Sequence, residues 1–332
     1  MNIKKSALQV LLGLAALALS AAALAQSAAS ADAAPAPAPA SATGQGTEYS
    51  EKGADTCLGC HDEESATFST AALFKSKHAQ RGSARAPFGP GGLQCEACHG
   101  PGARHSAKGS KKTLTTNSFK KDSFLPVQVR NQACLSCHEG FSRSGWHSGA
   151  HDRNGLACTD CHKVHAERDA VLTKSTEQDI CLGCHSKQRA EFQKASTHPV
   201  KNGRMGCSDC HNQHGTSNPA MLVKPTLNQT CYSCHAEKRG PVLWEHAPVA
   251  EDCSLCHAAH GSVRPALLTK TPPLLCQQCH TTASHPAIAR TGASLPGGTA
   301  AGSSAFLLAG SCTNCHSQVH GSNHPSGAKL MR

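Results

Sequence analysis

All 20 cysteines of this 332-residue chain fall in ten copies of Cys-x-x-Cys-His, with none left over. The pairs are Cys57/Cys60, Cys95/Cys98, Cys134/Cys137, Cys158/Cys161, Cys181/Cys184, Cys207/Cys210, Cys231/Cys234, Cys253/Cys256, Cys276/Cys279 and Cys312/Cys315. This pentapeptide is the attachment signature of c-type haem: two thiols add across the haem vinyl groups and the following histidine binds the iron. Structural zinc sites also use Cys-x-x-Cys but do not require a histidine after every second cysteine. A disulfide between cysteines two residues apart closes a strained small loop, and ten of them would staple little together. The expected cofactor is therefore haem c, ten copies, covalently attached.

That cofactor load decides what can serve as a core. Aromatic residues make up 4% of the chain, and from Glu51 onward about 28 residues are available per haem, too few for an ordinary apolar interior. The porphyrins must supply the core, with folding and haem binding as one event. The expected fold is a multihaem cytochrome c: mostly irregular loops with short α-helices around a chain of ten haems, and almost no β-sheet.

Motif spacing suggests how the chain is built. Successive first cysteines lie 38, 39, 24, 23, 26, 24, 22, 23 and 36 residues apart, so the central run is close to periodic, as in chains that stack similar units. Ahead of it, Lys4 and Lys5, the apolar run Ala7 to Leu24 and the small-x-small sequence Ala23-Leu24-Ala25 read as a secretory signal peptide over 1–25. An Ala/Pro-rich linker, expected to be disordered, covers 26–50, and the decahaem domain covers 51–332. No second hydrophobic stretch follows the signal, so no transmembrane segment is expected after its removal, and the expected location is the periplasm. The formal charge of +10 does not point to nucleic acid, because haem propionates are a nearer counterpart for the lysines and arginines.

The 22 histidines divide into ten proximal candidates, which close the motifs, and twelve others. The proximal set is His61, His99, His138, His162, His185, His211, His235, His257, His280 and His316. Ten distal candidates follow a modular pattern of motif, free histidine, motif, and histidine shortly after: His78, His105, His151, His165, His198, His214, His246, His260, His285 and His320. His147 and His324 are spare. His151 stands seven residues before its motif, as His246 does, and His320-Gly321 matches His214-Gly215 and His260-Gly261. A histidine three residues after a proximal one lies on the same side of that haem, so His214 and His260 should serve a neighbouring haem. Which histidine serves which iron is left open by the sequence.

Methionine would compete as an axial ligand and raise the potential, but Met205, Met221 and Met331 do not recur with the modules. Two histidines per iron fill the coordination sphere, and no catalytic residues are expected: the chain reads as an electron-transfer protein rather than an enzyme. A soluble periplasmic shuttle feeding a terminal reductase is the alternative, with the basic stretch Lys108, Lys111, Lys112, Lys120 and Lys121 as its docking face.

The region Glu51 to Arg332 resembles the periplasmic decahaem cytochromes of the MtrA/DmsE family, which includes MtoA- and PioA-type members. The most specific stretches are Cys95-Glu96-Ala97-Cys98-His99-Gly100-Pro101-Gly102 and Val319-His320-Gly321-Ser322-Asn323-His324-Pro325-Ser326-Gly327. The resemblance implies two pentahaem halves, about 51–195 and 196–332. It also implies insertion into an outer-membrane β-barrel porin and exchange with periplasmic and extracellular cytochromes, in metal reduction or in Fe(II) oxidation. A loop-rich chain cannot face lipid with its backbone unsatisfied, so a barrel partner is physically sensible.

Overall fold

The computed structural model describes residues 46–62, 69–107, 117–140, 143–280 and 312–332. The signal peptide, nearly all of the linker, His285 and three of the basic-stretch lysines (Lys108, Lys111 and Lys112) lie outside them. From Glu48 onward the described residues form one compact unit. It consists of short helices and turns joined by loops. The longest helix, Val127–His138, has 12 residues, and among the described residues strand pairing is limited to four isolated bridges. No helix among them is long and apolar enough to cross a membrane.

Side-chain packing alone does not make a core. The buried apolar residues are small or scattered, such as Ala54, Leu73, Leu125, Leu135, Trp146, Phe192 and Leu222, and no described side chain falls below 2% exposure. An ordinary domain of this size would bury many completely.

Polar side chains, rather than apolar ones, join the two attachment motifs of a module. Asn131, on the helix leading into Cys134, accepts a hydrogen bond from Cys158 N at 2.9 Å and donates to Leu156 O at 3.0 Å. Asn228, leading into Cys231, accepts from Cys253 N at 2.8 Å and donates to Val249 O at 2.9 Å. Glu177, leading into Cys181, accepts from Ser208 N at 3.0 Å and Ser208 Oγ at 3.1 Å. All three are buried. In each case a residue of one helix satisfies an orphan N–H at the start of the next motif's helical turn, which is capping in trans. Ordinary caps start the helices themselves: Ser69 Oγ accepts from Ala72 N, and Thr226 Oγ1 from Gln229 N.

Candidate haem-iron sites

Within each module the first cysteines of the two motifs face one another. Cys57 meets Cys95, Cys134 meets Cys158, and Cys181 meets Cys207; in each of these pairs the thiol contact holds the first thiol up and the second down. Cys231 faces Cys253, and Cys276 faces Cys312, with burial the main cause of the rise to about 12 at Cys231 and about 11 at Cys276. Between modules the second cysteines are electrostatic neighbours: Cys98 with Cys134 and Cys137, Cys161 with Cys184, Cys210 with Cys234, and Cys256 with Cys279. Each motif therefore adjoins the next in chain order.

The two thiols of a motif are not equally exposed in every case. All the first cysteines are half-buried, whereas Cys60, Cys137, Cys184, Cys234, Cys279 and Cys315 are exposed, and none of the 20 is in a disulfide. Cys60 and Cys315 belong to the first and last motifs. Their backbone still makes the turn of the other motifs, with Cys60 N donating to Cys57 O at 3.1 Å and Cys315 N to Cys312 O at 3.2 Å. Cys60 and Cys315 thus share the turn of the other motifs while being more exposed than the first cysteines.

The histidines close the sites from the other side. Nine pairs of rings face each other among the described residues, each a motif histidine with a free one. Four pairs involve the second motif of a module, and three of them are close to parallel: His162–His214 at 6.1 Å and 6°, His211–His260 at 6.1 Å and 23°, and His257–His320 at 6.1 Å and 12°. Five involve the first motif of a module, and three of these are crossed: His78–His138 at 5.9 Å and 75°, His151–His185 at 6.1 Å and 64°, and His198–His235 at 6.4 Å and 50°. The end modules reverse this: His61–His105 at 6.2 Å and 19° and His246–His280 at 6.1 Å and 23° are first-motif pairs close to parallel, and His99–His165 at 6.3 Å and 61° is a crossed second-motif pair.

The pairing has a register that crosses modules. The free histidine of one module meets the first motif of the next, as His151 meets His185. The histidine ending one module meets the second motif of the module before, as His260 meets His211. His61–His105 closes the N-terminal end within its own module. His316 is described, but His285 is not.

These separations fit an iron between the rings. Two metal–imidazole bonds of about 2 Å each, plus the half-widths of both rings, span such a gap, whereas rings in face-to-face contact would lie about 3.5–4.0 Å apart. The ring nitrogens agree. Nδ1 faces a backbone carbonyl in His99 (Asn117 O, 2.8 Å), His151 (Gln213 O, 2.9 Å), His198 (Ala259 O, 2.8 Å), His211 (Ala220 O, 2.9 Å), His246 (Val319 O, 2.9 Å), His257 (Ala266 O, 2.8 Å) and His316 (Lys329 O, 2.7 Å). A carbonyl only accepts, so Nδ1 carries the proton and Nε2 keeps its lone pair for a metal. Burial holds His99, His214, His260 and His320 below the usual histidine range, which favours the neutral ring that binds iron.

Some of these carbonyls are aimed at a conformational cost. Ala220 and Met221, and likewise Ala266 and Leu267, have positive φ of 50° to 57°. The strain, about 1–3 kcal/mol per residue, turns the Ala220 and Ala266 carbonyls onto His211 and His257.

Both spare histidines sit differently. His147 is 61% exposed, with Nε2 4.0 Å from Glu139. His324 receives the Ser326 N–H on Nδ1 at 3.2 Å, which is the opposite tautomer to the paired rings. Among the described residues no group of three or more His, Cys, Asp or Glu side chains converges as a bare metal-ion site requires. Two buried donors, Trp146 Nε1 and Arg130 Nε, lack a protein acceptor, as suits a site where porphyrin carboxylates supply one.

Known multihaem cytochromes are similar to this chain. A doubled CXXCH motif model matches residues 198–240 and 246–285, and a cytochrome c-type protein NrfB-like model matches 95–180. The chain is 50% identical over 284 residues to the multiheme cytochrome MtrA of Shewanella baltica, covering 86% of this chain and 83% of that one. It is 28% identical over 151 residues to the cytochrome c-type protein NrfB of Escherichia coli O6:H1, covering 44% of this chain and 73% of the relative. The repeated attachment motif, covalent haem c and an electron-transfer role go together here, and the chain belongs to the MtrA family of multihaem c-type cytochromes.

Proposed function

We propose that the chain binds ten haems c in line, in chain order, each between two histidines, and that it carries electrons along them through an outer-membrane β-barrel partner. The carrying observation is the order of the motifs: first cysteines meet within modules and second cysteines between them, so neighbouring attachment points form one unbroken series. All 20 cysteines serve as attachment points in this reading, the exposed Cys60 and Cys315 at its two ends included. When bound, haem supplies a one-electron ferric/ferrous couple. The chain's part is to fix both axial imidazoles, keep them neutral and hold adjacent sites together. In this reading the free members of the nine described pairs, His78, His105, His151, His165, His198, His214, His246, His260 and His320, are distal ligands, and His285, outside the described residues, is the remaining distal candidate. With two histidines per iron no position is left for a substrate, so the chain conducts rather than catalyses.

The location proposed is the periplasm, at the outer membrane. A chain of loops leaves backbone polar groups that lipid cannot satisfy, and a closed barrel supplies a sheltered passage. The family likeness supports this reading, with periplasmic and cell-surface cytochromes as partners. Detergent extraction of native membranes, with haem-stained protein followed through size exclusion, tests it. Co-elution with an outer-membrane barrel is expected. Recovery as a free periplasmic monomer would overturn the conduit and favour a soluble shuttle.

A further inference from the structure

His162 breaks the pattern of its neighbours. The proximal histidines His211 and His257 donate Nδ1–H to a backbone carbonyl turned inward by left-handed residues. In the corresponding loop of the second module the sequence is Arg168-Asp169-Ala170-Val171-Leu172-Thr173-Lys174, against Asn218-Pro219-Ala220-Met221-Leu222-Val223-Lys224 and Arg264-Pro265-Ala266-Leu267-Leu268-Thr269-Lys270. The second-module loop lacks the proline and is one residue shorter from its histidine to its lysine. Ala170–Leu172 forms a 3-10 turn without the left-handed pair.

A carboxylate takes the carbonyl's place. Asp169 Oδ2 lies 2.7 Å from His162 Nδ1, with the two side chains 16% and 32% exposed. Its other oxygen accepts from Lys163 N at 3.3 Å, which fixes its orientation. The nearest parallels are looser: Glu191 Oε2 is 3.3 Å from His260 Nδ1 and Glu237 Oε1 is 3.8 Å from His235 Nδ1.

We propose that Asp169 is a positioning residue that sets the potential of the haem attached at Cys158/Cys161, making it the lowest in the chain and a step in mid-wire. This rests on His162 ligating that iron as proposed above. A carboxylate on Nδ1–H draws the proton away and gives the imidazole anionic character, so Nε2 becomes the stronger donor. Added negative charge at the ligand favours the ferric over the ferrous state. A neutral carbonyl at the same position orients the ring with less of this push. Electrons crossing from the Cys134 site to the Cys181 site therefore meet an uphill step whichever way they travel.

The test is spectropotentiometric titration of the full holoprotein and its Asp169→Asn variant. The asparagine oxygen still accepts from Nδ1–H, so the ring keeps its orientation while the charge is lost. The expected result is an upward shift of the low-potential limb, carrying about one tenth of the α-band amplitude. At fixed potential its ferrous-to-ferric ratio should rise about tenfold, the lower end of the effect of losing a metal ligand's hydrogen-bond partner; for a one-electron couple that is about 59 mV. Glu167→Gln removes the same charge two residues away, where the carboxylate pairs with Lys75 at 3.2 Å, and should leave the limb in place. An unmoved limb in Asp169→Asn, or an equal shift in Glu167→Gln, overturns the proposal. The ferric electron paramagnetic resonance spectrum of the native protein gives a measure independent of any variant: one low-spin haem should show the narrowed g spread of imidazolate ligation, and its absence counts against Asp169. A high-spin signal in the native protein would instead refute the ligation reading on which the proposal rests.

Discussion

His151 donates Nδ1–H to the carbonyl of Gln213, at 2.9 Å. Gln213 directly precedes His214, so one hydrogen bond joins a histidine paired with His185 to another paired with His162. The device recurs where His198 donates to Ala259 O beside His260, and where His246 donates to Val319 O beside His320. Two backbone bridges reinforce it, Ser196 with Ser262 and Trp244 with Ser322. The cysteine contacts tie sites within a module, and these histidine bonds tie sites across the module boundary.

The two spare histidines should be separable from the proposed ligands by spectroscopy. His151→Ala is expected to turn about one haem in ten high-spin, while His147→Ala leaves the ferric spectrum unchanged. His320→Ala and His324→Ala should repeat the contrast. Electron paramagnetic resonance of each purified variant checks it, and a high-spin signal from His147→Ala would reverse the assignment.

Truncating a cap that acts in trans should loosen a whole module. Asn228→Ala removes the acceptor of Cys253 N and leaves a buried N–H unpaired, at a cost of about 1–3 kcal/mol. Asn131→Ala should behave alike at Cys158. Thermal unfolding followed in the Soret band would show both as lowered midpoints with haem content intact.

Acid should act through Asp209. Lys174, 2.8 Å away, is the main cause holding this carboxyl below its usual range, with the Gly206 N–H second. The folded value is below the unfolded one, so the contribution is fully present above the unfolded value of about 3.9 and is lost as pH falls through the folded value. Asp209→Asn should therefore be less stable than the parent at pH 7, with the difference vanishing in strong acid. Denaturant unfolding at both pH values measures it.

Gly215 has φ of +100°, and a Cβ there would collide with the Gly145 carbonyl. Gly155 also has positive φ, +70°, but faces open space. Gly155→Ala should cost about 1–2 kcal/mol for the left-handed backbone alone, and Gly215→Ala clearly more. Comparing their melting temperatures separates strain from crowding, and equal losses would contradict the close crossing beside His214.

The covalent chemistry and the fold class could be read directly, because Cys-x-x-Cys-His is a contiguous signal and a chain so poor in aromatic residues cannot make its own interior. The unequal exposure of the two thiols in a motif could not, since Cys60 and Cys315 carry the same local signal as the half-buried Cys98 and Cys161. The structure sets His214 and His260 against His162 and His211, histidines of other motifs. Their partners were not readable. Pairing His151 with His185 depends on how separate loops cross, and nothing in local spacing encodes that crossing. Asn131 and Asn228 did leave a trace, both standing three residues before a first cysteine. Asp169 left another: it appears where the Pro-Ala-Met/Leu-Leu run of the later modules is missing.

The module-crossing register has a consequence for how such chains change size. Excising 212–257 would bring His260 into the place of His214, leave His211 for His320, and leave His198 for His280. Every ring left unpaired would find an equivalent partner, whereas cutting out a single motif would strand an imidazole on either side. Length in this architecture is therefore quantised: a lineage or a designer can lengthen or shorten the assembly only two haems at a time, and its reach is set by counting modules rather than residues.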